Sequence, residues 1–493
     1  MAVDFTYADH TVILSDLHLS DAEPPHPGNP LWKRYKRPKH FIDKEFRDFL
    51  TFLSEETSGA TEIVLNGDIF DFDSVMVNPE EKGMKISWLE KKRGLFAEEK
   101  KSIFKMSTIL KDHWIWIESL GDFVRKGNRV VFVIGNHDME VHWPGVQKII
   151  VDAMKIPDSM RNSVRFCEWF YVSNKDTLIE HGNQYDAYCT CSNPIHPLVR
   201  KGGRYFVRLP FGNLAGKFML NGMGLFNPHV DSSYIKSNLT DYLVFFYKYL
   251  VRVQPLIMFT WFWGAAVTLF YSIGEGLLPA VRDPLKLEKR LSEIATKANS
   301  SVSTLHSLRA LHVHPAIFNP IRIARELWLD RAILLGFAFL LSFWIFSTVN
   351  LFAKVSMLWW AIPLALFLPA LLFYARSVES EVYKVQTTAL KRVNVISKIT
   401  GLKRVVFGHT HRERHILLDG VEVLNTGTWS PAFHDVECTQ PFGRKCFAWI
   451  KKEENSSERV AELYEWNKGK AFPIPRQDRV DLATLEMLAK NRT

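Results

Sequence analysis

From Ala332 to Ala375 the chain carries one charged residue, Lys354, with Arg331 and Arg376 at the borders and Trp344, Trp359 and Trp360 inside. Soluble cores rarely omit charge over so long a run, and a bilayer crossing takes about 20 apolar residues. The stretch therefore predicts two membrane helices joined near Asn350–Ser356. A second stretch, Gln254–Gly274, has no charge at all and is also long enough to cross. Before it, Thr240–Val253 is aromatic with Lys248 and Arg252, the pattern of an interfacial helix.

The flanks read as soluble protein. Short apolar runs at Thr11–Leu14, Glu62–Leu65 and Val130–Ile134 predict buried strands. Helical patterning separates them: Asp43–Glu55 with Phe46, Phe49, Leu50 and Leu53 at helical spacing, a long stretch near Glu98–Lys126, then Val146–Met154. Alternating strands and helices predict α/β layering, in which ligands bind where strand ends converge. More strands are predicted at Glu168–Ser173, Thr177–Glu180, Arg404–Phe407, His415–Leu418, Val421–Leu424 and Phe447–Ile450, with helices at Glu379–Thr400 and Asp481–Ala489. Regular patterning stops between Tyr188 and Ser237, where Cys189, Cys191 and His196 match no common zinc module.

Polar residues suited to metals follow several of these strands. Asp16-Leu17-His18 follows the first, and alternation along an extended backbone would put its carboxylate and imidazole on one side. Asn66-Gly67-Asp68 follows the second, and Gly135-Asn136-His137-Asp138 the third. His181-Gly182-Asn183 and Gly408-His409-Thr410-His411 close two others. The last pair of imidazoles, two residues apart, can supply one ligand to each of two neighbouring metals.

Composition bounds the partners. A chain of 493 residues exceeds one ordinary domain. Its net charge of +9 favours phosphorylated substrates, acidic lipid or nucleic acid. The crowd Lys33, Arg34, Lys36, Arg37 and Lys39 reads either as a solvated face or as an anion-binding lip. Five cysteines form no disulfide framework, and MAVDFTYADH lacks a basic region followed by an apolar one, so a cytoplasmic setting without a signal peptide is expected.

In this order, the five polar blocks resemble the calcineurin-like metallophosphoesterases. The resemblance covers about Thr11–Asp186 and Thr400–Ile450 and says nothing of the apolar middle. It implies a four-layer α/β sandwich, here interrupted by a membrane-associated helical insertion. The boundaries are then 1–239 and 379–493 for the two parts of the phosphoesterase domain and 240–378 for the insertion, with a transmembrane hairpin at 332–375. By position it implies Asp16, His18 and His411 on one metal, Asn136, His181 and His409 on the other, and Asp68 bridging both. His137 would be the proton donor and Asp138 would orient it. Two divalent ions are implied, with manganese expected first; the O/N ligand mix permits manganese, iron or zinc and does not choose among them. The SDLHLS and HGNQYD wording is similar to the UDP-2,3-diacylglucosamine diphosphatase type, although that type usually has Arg where this chain has His137.

The expectation is a membrane-associated phosphoesterase, in an inner or plasma membrane with its catalytic domain facing the cytoplasm. Its substrate is expected to be a phosphorylated lipid or lipid-linked molecule. The alternatives are a tethered phosphatase of soluble nucleotides, a metallo-nuclease, against which the bilayer-length segments argue, and a non-catalytic membrane scaffold, against which the intact ligand positions argue. An odd number of crossings would part the two halves of the site, so Ala332–Ala375 is expected to cross as a hairpin and Gln254–Gly274 to lie at the interface or re-enter. The alternative pairs a crossing Gln254–Gly274 with only one of the later two segments.

Overall fold

The computed structural model describes residues 3–79, 84–225, 256–278, 284–377, 385–453 and 458–477, with Asn227, His229, Val244, Tyr247 and Lys248. The helix expected at Asp481–Ala489 lies outside the described residues, as does nearly all of Thr240–Val253.

The chain is mixed α/β. In the first part, β1 (His10–Leu14), α1 (Asp43–Glu56), β2 (Thr61–Asn66), α2 (Trp88–Arg93), α3 (Glu99–Asp112), α4 (Trp114–Arg125), β3 (Arg129–Val133), α5 (Pro144–Ala153), β4 (Val164–Cys167), β5 (Phe170–Ser173) and β6 (Thr177–Glu180) follow in order. The stretch expected to be helical near Glu98–Lys126 is two helices. The break is at His113, whose ring packs between Asp43 Oδ2, 2.8 Å from Nδ1, and the Ser20 carbonyl, 2.9 Å from Nε2. The region where patterning stops still holds a hairpin, β7 (Leu198–Lys201) and β8 (Arg204–Val207). It also holds α6 (Phe211–Ala215), which runs on through a π-helical turn, Gly216–Leu220, and Asn221–Met223. These pieces are too short to show a period.

Beyond them come α7 (Ile257–Leu277), α8 (Pro284–Lys297), α9 (Val302–Arg309), α10 (Pro320–Glu326), α11 (Leu329–Phe352), α12 (Ala361–Ser377) and α13 (Val385–Thr400). The C-terminal part is β9 (Arg404–Phe407), β10 (Arg414–Leu418), β11 (Val421–Asn425), β12 (Ala432–Phe433), β13 (Pro441–Phe442), β14 (Lys445–Lys452), β15 (Arg459–Asn467) and β16 (Lys470–Ile474).

Both flanks of the apolar middle contribute to both main sheets. A seven-stranded sheet has the order β16-β15-β14-β1-β2-β3-β4 and a five-stranded sheet the order β10-β11-β9-β6-β5. The flanks meet where β1 pairs antiparallel with β14 (Ile13 opposite Ala448) and where β6 pairs parallel with β9 (Leu178 opposite Val405). One core lies between the sheets, with Ile13, Val64 and Val131 facing Ile179, Val406 and Leu424. Strands β1 to β3 are parallel and buried almost throughout, so they read as continuous apolar runs rather than alternating ones.

Helices cover the outer faces. Phe46 and Phe49 of α1 and Trp116 of α4 pack on the first sheet. On the second, Ile294 and Ala295 of α8, Leu305 of α9 and Val393 of α13 share a core with Val405 and Phe407. This corrects the expected boundary of the insertion: part of 240–378, the mixed-charge segment holding α8 and α9, belongs to the soluble body. Leu291, Ile294, Leu305 and Leu308 cover the sheet while Lys289 and Glu293 face water.

Three helices, Ile257–Leu277, Leu329–Phe352 and Met357–Tyr374, are long and apolar enough to cross a membrane. The latter two form a hairpin tied at its base by Tyr374, whose hydroxyl donates to Asp330 Oδ2 at 2.8 Å.

Candidate metal centre

Because β1, β2 and β3 run parallel, their C-terminal ends share one edge, and β6 and β9 bring their own ends to it. The structure gathers there Asp16, His18 and His411 as one group, and Asp68, His181 and His409 as another. In each, the potential ligand atoms lie within 4.8 Å of one another, and each group could hold a metal ion. Asn136 is buried at the same edge. In the first group His411 Nε2 lies 3.1 Å from both Asp16 Oδ1 and His18 Nε2. In the second, His181 Nε2 is 3.1 Å from Asp68 Oδ2 and 4.0 Å from Asp16 Oδ1.

The donor atoms fit a cation. Asp16 Oδ1, Asn136 Oδ1 and His181 Nε2 are buried without a hydrogen-bond partner, an arrangement that costs about 1–3 kcal/mol for each polar group left so. The other faces of the rings are engaged: His181 Nδ1 donates to the Asn66 carbonyl at 2.9 Å and His411 Nδ1 to the His229 carbonyl at 3.0 Å. Those bonds fix the tautomer and leave the Nε2 lone pairs aimed at carboxylates. His409 Nε2 is held 3.0 Å from Asp186 Oδ2, which leaves Nδ1 for the cluster.

Electrostatics say the same. Burial pulls the His181 imidazole down, but Asp68 and Asp16 override it and push it up to about 9. Burial opposes ionisation of Asp68, yet His181, His137 and His18 hold its carboxyl well below the usual range. The cluster requires positive charge, as protons or as a metal ion.

Backbone geometry marks the same residues. Asp16, His18, Asp68, His409 and His411 all have φ between 50° and 66°. Left-handed backbone costs a non-glycine residue roughly 1–2 kcal/mol, and such strain concentrates at functional sites. It also corrects the argument from strand alternation: Asp16 and His18 converge through a folded loop, not along an extended backbone.

The motif glycines make the close approach feasible. A Cβ on Gly67, at φ 80°, would overlap the His181 ring, one on Gly135 would overlap Asp68, and one on Gly408 would meet Ser15 and Asp16. Gly67→Ala is therefore expected to displace His181 and lower metal content sharply, which elemental analysis of the purified variant checks.

His137 and Asp138 part company. The His137 amide donates to Asp68 Oδ1 at 2.7 Å, and its ring Nδ1 lies 3.4 Å from Asp71 Oδ1. Asp138 instead folds back on its own turn, accepting from the Gly135 amide at 2.6 Å and the Ile69 amide at 2.9 Å. The carboxylate that orients His137 is thus Asp71, and Asp138 braces the loop. Burial pulls His137 down, but Asp68, Asp71 and Asp73 push it up to about 10, so the ring keeps its proton at neutral pH.

Besides Asp71 and Asp73, two more contributors escaped the sequence reading. His229, from the Gly- and Pro-rich stretch, stacks on His18 with centroids 3.6 Å apart, and its Nε2 lies 2.8 Å from Asp71 Oδ2. No local pattern in one sequence marks it. Asn213 of α6 donates to the Asn136 carbonyl at 2.7 Å and to Asp73 Oδ2 at 2.6 Å.

The basic crowd splits. Lys33 and Lys36 are buried, Lys33 donating to Asn221 Oδ1 at 2.9 Å and Lys36 paired with Asp21, so neither is available to an anion. Cys189 joins Asp186 and His409 in a further possible ligand group, while Cys191 is buried.

No protein-family model matches the chain, and no match is found among the curated proteins searched.

Proposed function

We propose that the chain is a membrane-associated phosphoesterase using two divalent metal ions, built on the four-layer sandwich of the calcineurin-like metallophosphoesterases. It would hydrolyse a phosphate ester or diphosphate in a lipid or lipid-linked substrate. The observation that carries the reading is the convergence of Asp16, His18 and His411 beside Asp68, His181 and His409, from sequence blocks on both sides of the apolar middle. Manganese, iron and zinc all suit this mix of carboxylate, carboxamide and imidazole donors.

Asp16, His18 and His411 would hold one ion, Asn136, His181 and His409 the other, with Asp68 between. The chemistry that such ions supply when bound is a water of lowered pKa and neutralised phosphoryl charge. His137 delivers a proton to the leaving oxygen. With the Asp68 charge taken up by metal, Asp71 and Asp73 still favour its protonated form. Asp71 fixes the direction of that proton by holding Nδ1, and His229 shares the same carboxylate.

The membrane helices support an acylated or polyprenylated substrate, whose phosphate sits at headgroup level where a catalytic body beside the bilayer reaches it. The test is turnover of a panel of lipid, nucleotide and sugar phosphates by detergent-purified protein with Mn²⁺. Lipid phosphates in mixed micelles are expected to turn over best. Good turnover of soluble nucleotides with none of lipid phosphates would assign the helices to tethering alone.

A further inference from the structure

We infer that α7 does not cross the membrane but lies along an anionic bilayer surface, as an in-plane seat for the catalytic body. Three observations carry it, and none depends on which bond the site cleaves.

The first is parity. The flanks share both sheets, so the connection between them crosses a bilayer an even number of times. Three described helices are long enough to cross. The stretch before α7, Thr240–Val253, is shorter than the roughly 20 residues a crossing needs and carries Lys248 and Arg252. At least one of the three therefore stays on the catalytic side. Of the three, 28% of the α7 window is buried, against 11% and 0% for the hairpin helices, so α7 is the one already packed on the soluble body.

The second is the distribution of its side chains. Past Ile257, buried at its start, the residues that α7 buries against the body are small, Gly264, Ala265, Thr268 and Ser272, and a Cβ on Gly264 would sit 2.9 Å from the Met219 Cα and the Phe218 carbonyl. One stripe of large apolar residues points outward, with Phe259 75%, Phe270 72% and Leu277 80% exposed. A helix of a soluble protein turns its largest apolar stripe to the core and its small polar residues outward. The inverse pattern fits a helix whose outer face meets acyl chains.

The third is the rim. Trp263 of α7 lies against Trp88, with centroids 5.9 Å apart, and beneath the Arg93 guanidinium at 4.9 Å, at the end of α2 that also exposes Lys91 and Lys92. Farther along, Tyr271 lies 5.4 Å below Lys201 Nζ in the β7–β8 hairpin, which exposes Arg200 and Arg204 as well. An apolar stripe flanked at two points by exposed cations is complementary to acyl chains under anionic headgroups. The hairpin α11–α12 starts beside it, since Ala265 of α7 shares a core with Ile323 of α10 and Leu329 of α11. The seat is also joined to the metal loops, because α7 packs on α6, whose Asn213 holds the Asn136 carbonyl.

The test uses full-length protein in vesicles of phosphatidylcholine with and without phosphatidylglycerol. Fluorophores are attached at Phe259→Cys, Phe270→Cys and Leu277→Cys, one at a time, against the labelled parent chain. Lipid-borne quenchers at headgroup and mid-chain depth are expected to place all three labels at one shallow depth in the anionic vesicles. Lys91→Glu combined with Lys201→Glu should abolish that quenching in anionic vesicles while leaving metal content at the parent level. Lys91→Gln with Lys201→Gln, which avoids reversed charge, should weaken it. A depth that deepens from Phe259 to Phe270, or a Leu277 label reached only from the opposite face, would overturn the inference in favour of a crossing. Equal quenching in both vesicle types, unmoved by the charge changes, would overturn the anionic partner. No quenching, with disulfide cross-linking of two chains through Phe270→Cys, would assign the face to a second copy.

Discussion

Asp68→Ala is expected to release bound metal and abolish hydrolysis while the chain still folds. Asp68 lies where both ligand groups meet: Oδ2 faces His181 Nε2 at 3.1 Å, and its charge bears on His18 and His137. One carboxylate has two oxygens, so it can serve two cations at once. Removing it also removes a fully buried charge, which relieves a desolvation cost. Against that stand two lost contacts, the bond from the His137 amide, worth about 1 kcal/mol, and the pairing with His181, whose ring can give up its proton once the carboxylate is gone. Elemental analysis beside circular dichroism checks the result. Two metal ions per chain in the folded variant would refute the bridging assignment.

His137→Ala should behave differently, keeping its metal and losing turnover by about 10²–10⁴-fold, the size of an acid–base contribution. The structure sharpens this into a comparison of carboxylates. Asp71→Asn removes the group beside the His137 ring and should approach the His137→Ala loss, with the basic limb of the pH–rate profile moved to lower pH because one charge holding the proton is gone. Asp138→Asn loses an acceptor for the Gly135 and Ile69 amides, so its effect should fall first on thermal stability and metal retention. A pH profile moved by Asp138→Asn and left unchanged by Asp71→Asn would reverse the assignment made here.

Much of this was legible in one dimension. Strand character in Thr11–Leu14, Glu62–Leu65 and Arg404–Phe407 follows from continuous β-branched and aliphatic runs, and in the structure these strands are buried almost throughout. Polar residues just after such runs stand at strand ends whatever the order of the sheet, so the residues now found in two ligand groups could be singled out before any contact was known. The bilayer-length segments are equally local, because length and lack of charge are properties of a segment.

What tertiary structure alone decided depends on partners distant in sequence. Lys33 and Lys36 look like solvent-facing cations until Asn221 and Asp21 are brought against them. Asp71 and Asp138 are indistinguishable as carboxylates near a motif, and only the fold of the turn gives one to His137 and the other to the backbone. His229 and Asn213 act through contacts to residues more than 70 positions away, for which a local pattern carries no signal. The role of α7 is of the same kind. Its composition says that it is apolar, but only its packing shows Gly264, Ala265, Thr268 and Ser272 against the body and Phe259, Phe262 and Phe270 turned outward, because hydrophobicity measures what a helix avoids and packing determines which face does so.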